Sequence, residues 1–337
     1  MKVRERPSLR TLNTFAVDAR AALLVTLESE EDVLSAPTFE PSRDILLGGG
    51  SNVLFASDVP GTVFLNRITG IDAIEQEDEQ VLIEAGAGEN WHGLVEWSLD
   101  RGYSGLENLA LIPGSVGAAP IQNIGAYGVE LAAVLDRVAA WDTVSAQWLT
   151  FDRKACEFAY RDSRFRSRQP DRYIITSVRL RLSKKFRPQL AYQGLREELA
   201  GVEPLSARAV SEAVIRLRQR KLPDPTEIGN AGSFFKNPVV TSEQASALRE
   251  QYPALPGWPE PDGRMKLSAA WMIEQCGLKG FRAGDAAVSE RHALVLVNHG
   301  QATGAEILSL ADRVRETVAG TFGIQLESEP RIVRFNP

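Results

Sequence analysis

The chain has 337 residues, 44% hydrophobic and 24% charged, an ordinary balance for a soluble globular protein with room for two or three domain cores. A net charge of −6 argues against general attraction to nucleic acid or to an anionic membrane, so an anionic ligand needs a local basic cluster. Two cysteines (Cys156 and Cys276) cannot form a disulfide framework, and His92, His292 and His299 lack metal-ligand spacing, so no metal is expected.

The opening MKVRERPSLRTLNTF has no apolar signal region. Nowhere does an apolar run reach the roughly 18 residues of a spanning helix. A cytoplasmic protein without membrane insertion is expected. Residues 45–55, ILLGGGSNVLF, read as a strand, a glycine turn and a second apolar segment, and Thr62 to Leu65 as another short strand. QVLIEA at 80–85 reads as a strand ended by Gly86-Ala87-Gly88. The spacing of Trp91, Leu94, Val95 and Leu99 then predicts a helix with one apolar face, and at least one of Trp91 and Trp97 belongs in the core. Residues 105–128, GLENLALIPGSVGAAPIQNIGAYG, follow neither period and predict an extended, closely packed loop, a kind of segment that is more often functional than not.

Between 134 and 182 the pattern is β-like, and Val178, Leu180 and Leu182 alternate with Arg179 and Arg181 as on a half-buried antiparallel strand. After 205 helices dominate. Val210, Val214 and Leu217 form one stripe, stopped at Lys221-Leu222-Pro223. Leu267, Ala270, Trp271 and Glu274 suggest a helix, and Ala293 to Val297 a buried strand. Thr241-x-x-Gln244 and Thr303-x-x-Glu306 read as capping boxes, the second opening a helix with Ile307, Leu310, Val314 and Val318 inward. Strands are expected around Ile324 and Ile332, and domain boundaries near 70, 220 and 326.

Several segments could carry chemistry. The amides of Gly48, Gly49 and Gly50, with Ser51 and Asn52, could cradle a pyrophosphate, or the segment could be a hairpin-like turn. It is no dinucleotide fingerprint, because no G-x-G-x-x-G opens a helix there. Pro113-Gly114-Ser115-Val116-Gly117 is a second small-residue loop, and two such loops suit one extended, phosphate-bearing cofactor. In Tyr160-Arg161-Asp162-Ser163, Arg161 reads either as a surface ion pair with Asp162 or Glu157, or as a carboxylate anchor. Lys221 is a helix end favoured by the dipole or a phosphate contact. In Gly229-Asn230-Ala231-Gly232-Ser233-Phe234-Phe235-Lys236-Asn237-Pro238, Ser233 is a turn residue or a functional hydroxyl that the two phenylalanines keep dry. Glu327 and Glu329 are ordinary charges beside a strand.

Taken together, these segments resemble MurB, the UDP-N-acetylenolpyruvoylglucosamine reductase family. The resemblance runs from Leu12-Asn13-Thr14-Phe15 to about Arg331, through LLGGGSNVLF at 46–55, GAGENWHGLV at 86–95, GLENLALIPGSVGAAPIQNIGAYGVEL at 105–131, YRDS at 160–163, KLPDP at 221–225 and GNAGSFFKNP at 229–238. The Tyr192 loop and the insertion near Trp258 look like the form of the family that carries both. The resemblance implies an α+β protein: a two-lobed FAD-binding fold of the vanillyl-alcohol oxidase type (1–70 and 71–220), a separate α+β substrate-binding domain (221–326), and a C-terminal return strand (327–337).

It also implies noncovalent FAD, NADPH as co-substrate, UDP-N-acetylglucosamine enolpyruvate as the other substrate, and a monomer. By resemblance, Arg161, Ser233 and Glu329 are catalytic, Ser233 as proton donor. The FAD cradle is Gly48, Gly49, Gly50, Ser51, Asn52, Pro113, Gly114, Ser115, Gly117, Gln122, Asn123, Gly125 and Ala126. Tyr160, Tyr192, Lys221, Asn237, Trp258 and His292 fall at substrate positions. Trp258 stands where a tyrosine is common, His292 where Gln or Lys is common, and Ser328 and Pro330 flank Glu329 unusually. The rival readings are another oxidase or dehydrogenase of the same flavin fold, and a nucleotide-sugar binding protein without catalysis.

Overall fold

Strand pairing in the computed structural model, which describes residues 1–335, forms two larger sheets of different character before residue 220, besides a two-stranded one at Gly125–Glu130. One runs in the order Lys2–Glu5, Ala21–Leu27, Val59–Asn66, Ile45–Leu47; its first pair is antiparallel and the others parallel. The other is antiparallel throughout, in the order Gln147–Asp152, Leu135–Asp142, Tyr173–Ser183, Gln80–Gly86, Ile71–Gln76. Both belong to a compact unit built from Met1–Pro7, Ala21–Gly50 and Val59–Arg220.

The long strand Tyr173–Ser183 buries Val178, Leu180 and Leu182, while Arg179 and Arg181 turn outward to Glu84 and Asp136, each at 3.2 Å. Alternation of this kind follows from the two-residue period of a strand. Helices α1 (Glu30–Ser35), α2 (Trp91–Asp100), α3 (Gln193–Glu198) and α4 (Ala207–Lys221) follow in chain order. Asn90 caps α2, its side chain accepting from Gly93 N–H at 2.8 Å. Trp91, Leu94, Val95 and Leu99 enter one core cluster with Ile83, Val178 and Leu180, joined by Val210, Val214 and Leu217 of α4. A buried indole removes roughly 200 Å² from water, about 5 kcal/mol before entropy is counted. The Trp91 ring N–H donates to Leu109 O at 3.0 Å, which anchors the 105–128 loop to the core. Trp97 stays partly exposed beneath the Arg101 guanidinium, 4.0 Å from the ring centre.

The second unit gathers Ser8–Arg20, Ser51–Asp58 and the chain from Lys221 onward. Its main sheet is antiparallel, in the order Gly229–Ser233, Val295–Asn298, Ala286–Val288, Arg282–Ala283. A three-stranded sheet places Met265–Leu267 between Val239–Val240 and Gly257–Pro259. Arg331–Val333 pairs in parallel with Val53–Phe55. Helices α5 (Ser242–Gln251), α6 (Ala269–Gln275) and α7 (Gly304–Phe322) complete it. Both predicted capping boxes are formed, with Thr241 and Gln244 on α5 and Thr303 and Glu306 on α7. Ile307, Leu310, Val314 and Val318 of α7 are buried as expected.

Two expectations change. Residues 45–55 are not a hairpin: Ile45–Leu47 pairs with Val59–Asn66, and Val53–Phe55 with Arg331–Val333, both in parallel. Ile324 is buried in irregular chain, and the terminal strand begins only at Arg331. Pro330, which cannot donate to a ladder, marks that start. Among the described residues no helix is long and apolar enough to cross a membrane.

Candidate active site

In the first unit the two small-residue loops lie against each other. A methyl on Gly48 would collide with Ser115 Oγ, and one on Gly49 would come within 2.9 Å of Gly114 Cα. Gly117 approaches Ala87 so closely that an added Cβ would lie 2.5 Å from the alanine methyl. Close backbone approach is what an extended phosphate-bearing ligand requires of its cradle. The second loop is held from behind: Gly114 O accepts from Trp91 N–H at 3.0 Å, and Val116 and Gly117 N–H donate to Glu89 O and Ala87 O at 2.9 and 2.8 Å. Ser115 Oγ is buried and has no hydrogen-bond partner among the described residues. An orphaned hydroxyl between two glycine loops fits the polar edge of a bound cofactor.

The rest of the 105–128 loop is shaped by strain and by its own polar groups. Leu111, Asn123 and Tyr127 adopt left-handed φ values of 56°, 46° and 50°. Asn123 is buried, its amide donating to Glu130 Oε2 and Ala159 O and its oxygen accepting from Ala132 N–H. It therefore fixes the loop's shape. Gln122 Oε1 accepts from Arg166 at 3.0 Å, and Gly125-Ala126 pairs with Val129-Glu130. Pro113 is exposed beside Gly114.

Arg161 meets this loop directly: its Nη2 donates to Gly125 O at 2.7 Å. Its backbone is also left-handed, with φ 53°, and its guanidinium lies 5.5 Å from the Tyr160 ring centre. The acids proposed for a surface pair have other partners, Glu157 with Arg164 and Arg168, and Asp162 with Ser167 Oγ at 2.6 Å. Tyr192, 39% exposed, packs edge-on to Tyr127 at 5.0 Å.

The sequence hid one cation here. Arg218 lies on α4 between Arg216 and Arg220, and both of those neighbours reach outward to Glu198. Arg218 Nε is buried without a partner among the described residues. Burial pushes its pKa down, and Arg161 adds repulsion while Tyr127 opposes it. Arginine keeps its charge under such pressure, so this corner of the unit favours an anion.

In the second unit Ser233 ends the strand Gly229–Ser233 opposite Val295, after a register shift at which Gly232 takes φ 69°. Phe234 and Phe235 follow, both buried. The segment carrying Glu329 lies beside them. Glu329 N–H donates to Phe234 O at 2.8 Å, Phe235 bridges Ser328, and Lys236 N–H donates to Glu327 O at 2.9 Å. Asn52 closes the far side, donating to Glu329 O at 3.3 Å and accepting from Arg331 N–H at 3.0 Å. Ser233, Glu329 and Asn52 are thus brought into one neighbourhood. Lys236, which sequence reasoning left without a role, pairs with Glu327 at 3.1 Å.

Lys221 and His292 are neighbours as well. Burial lowers the His292 pKa from its usual 6.5, and the Lys221 charge lowers it further. His292 Nδ1 accepts from Leu294 N–H at 3.2 Å, which the neutral ring permits. Asn237 Oδ1 accepts from Ala269 N–H at 3.0 Å, at the start of α6. Trp258 is 47% exposed on the strand Gly257–Pro259, and Ser51 is half-buried ahead of Val53–Phe55. No cluster of three or more metal-ligating side chains occurs among the described residues.

Comparison with known proteins agrees with this layout. Residues 224–333 match the UDP-N-acetylenolpyruvoylglucosamine reductase C-terminal domain, and residues 21–147 an FAD binding domain. The UDP-N-acetylenolpyruvoylglucosamine reductase of Pseudomonas aeruginosa is 48% identical, covering 98% of this chain and 99% of its own. That of Xanthomonas axonopodis pv. citri is 51% identical, covering 98% and 95%. The crystal structure of the MurB enzyme from Thermus caldophilus aligns over 99% of this chain and 100% of its own, with a TM-score of 0.71 and 28% identity. By sequence, by domain composition and by fold, the chain belongs to the UDP-N-acetylenolpyruvoylglucosamine reductase (MurB) family.

Proposed function

We propose that the protein reduces UDP-N-acetylglucosamine enolpyruvate to UDP-N-acetylmuramate with NADPH and a tightly held, noncovalent FAD, as a cytoplasmic monomer serving peptidoglycan precursor synthesis. The observation that carries this reading is the hydrogen bond from Glu329 N–H to Phe234 O, which fixes a carboxylate and the Ser233 hydroxyl on adjoining backbone. Gly48, Gly49, Gly50, Pro113, Gly114, Ser115 and Gly117 are the residues that would hold FAD, with Ser51, Asn52, Gln122, Asn123, Gly125 and Ala126 at its margins. When bound, that group supplies the relay of hydride from NADPH to the enolpyruvyl carbon.

The chain's own residues supply the rest. Hydride addition to an unsaturated acid builds negative charge on the substrate carboxylate, and preorganised cations offset it most where water is excluded. Arg161 serves there, its guanidinium already oriented by Gly125 O. Ser233 Oγ donates the proton to the adjacent carbon. A hydroxyl is a weak acid, but the charged adduct is a strong base, and the buried Phe234 and Phe235 beside Ser233 limit competition from water. Glu329 holds the geometry of that transfer. Lys221 and Asn237 take the pyrophosphate, Tyr160 and Tyr192 frame the substrate, and Trp258 offers a ring face for stacking in place of a hydroxyl contact. Neutral His292 leaves Lys221 as the charge that meets the phosphates.

The test is a two-stage titration. Purified protein should be yellow; anaerobic NADPH should bleach it, and the enolpyruvyl substrate should restore the colour. Bleaching without restoration by that substrate would sink the assignment in favour of an oxidase of the same fold.

A further inference from the structure

We infer that Arg315 and Ser328 form a positioning latch that holds the Ser233 and Glu329 segments in register; the inference rests on the roles proposed for those two residues. Arg315 projects from α7, where Asp312, one turn earlier, pairs with its Nη1. Its Nη2 donates to Ser328 Oγ at 2.6 Å, and its guanidinium lies 5.9 Å from the Phe235 ring centre. Ser328 immediately precedes Glu329 and bridges Phe235, two residues beyond Ser233. One planar cation therefore touches both segments.

The neighbouring restraints do not replace it. Lys236 and Glu327 pair at 3.1 Å, but the Glu327 side chain is 76% exposed, and a screened pair of this kind restrains little. Pro330, just after Glu329, donates no backbone hydrogen bond, so Glu329 is fixed by its own N–H, by Asn52 on its carbonyl, and by Ser328. A guanidinium that is itself oriented by a carboxylate loses little freedom in making that last contact. The Ser328 hydroxyl is what gives Arg315 a side-chain acceptor there.

The experiment uses the FAD-loaded full chain and reads four quantities: bleaching by NADPH, reoxidation by UDP-N-acetylglucosamine enolpyruvate, affinity of the oxidised enzyme for that substrate, and melting temperature. Ser328→Ala and Arg315→Lys should each slow reoxidation about tenfold or more, as small misplacements of catalytic groups do. Bleaching and substrate affinity should stay within about twofold, since uniform binding is untouched. The double variant should be no slower than the worse single one, because both remove one contact, and Ser328→Thr, which keeps the hydroxyl, should recover most of the rate. Reoxidation at the original rate in both single variants overturns the latch, as does a parallel fall in bleaching, affinity and melting temperature. Ser233→Ala and Glu329→Gln run alongside. If neither slows reoxidation, the catalytic assignment itself fails and the latch with it; if both do while Ser328→Ala and Arg315→Lys do not, only the latch fails.

Discussion

At Ser233, removing one oxygen tests the proposed proton transfer separately from the other events in the cycle. Ser233→Ala should leave bleaching by NADPH near normal and slow reoxidation by the enolpyruvyl substrate by about two to four orders of magnitude, the range for loss of a general acid. Stopped-flow absorbance of the flavin reads both steps, and slow bleaching with normal reoxidation would contradict the role. Cys156 offers a contrasting residue. Burial pushes its thiol up to about 12, so it should resist alkylation at neutral pH until the protein unfolds, as mass spectrometry of labelled protein would show. The residue scale is also where sequence reading fell short. Arg218 lies in a basic run whose neighbours do reach outward, and nothing local shows that its own side chain turns in beside Tyr127 and Arg161. Arg315 and Ser328 are 13 residues apart, one on a helix and the other in irregular chain, so their meeting has no sequence signature either.

Among the elements, those specified by local chemistry were legible. The two capping boxes, the stripe of α4 and the alternation of residues 178–182 each depend on neighbours within one turn or one pleat, and all three form. Of the two alternatives for the glycine segment, the hairpin-like turn does not form, because a parallel pairing is set by distant chain, here Val59–Asn66 and Arg331–Val333. Where a cap is legible its worth can be tested. Thr303→Ala removes the hydroxyl half of the α7 box, leaving the residue-303 N–H on Glu306, and should cost about 1 kcal/mol in urea denaturation, with the slope of the transition unchanged. A result near zero would mean that α7 draws its stability from Ile307, Leu310, Val314 and Val318 alone.

On the scale of the whole molecule, pH links both units to the same kind of group. His92 in the first unit and His292 in the second each accept a backbone N–H at Nδ1, at 3.2 Å. Burial lowers both pKa values from 6.5; Arg218 reinforces the shift at His92 and Lys221 that at His292, while Glu96 and Glu274 oppose it. A histidine depressed on folding contributes stability that is complete above its unfolded value and is lost as pH falls through its folded one. Melting temperature should therefore be flat from about pH 7 to 8 and decline as pH falls below about 6.5. His92→Gln, which keeps an acceptor without a titrating ring, should shrink that decline. A melting temperature that rises on acidification would contradict the account. Membership of the family was legible through ordered motifs spread along the chain, whereas the membership of the two units was not. Residues 8–20 and 51–58 join the second unit through contacts with chain hundreds of residues later, as at Phe15 O, which accepts from Asn298 at 3.0 Å.

The parallel pairing of Val53–Phe55 with Arg331–Val333 sets the order of events during synthesis. Val53, Leu54 and Phe55 are buried in the finished protein, yet the strand that pairs with them is made more than two hundred residues later, at Arg331–Val333. Translation at about 5–20 residues per second leaves this apolar segment without its partner for tens of seconds. During that interval it is a natural client for a chaperone, and residues 221–337 released alone would be a fragment lacking the strand that completes its edge. The second unit can close only after Arg331–Val333 has been made, so truncation before Arg331 should yield aggregation rather than a smaller working enzyme.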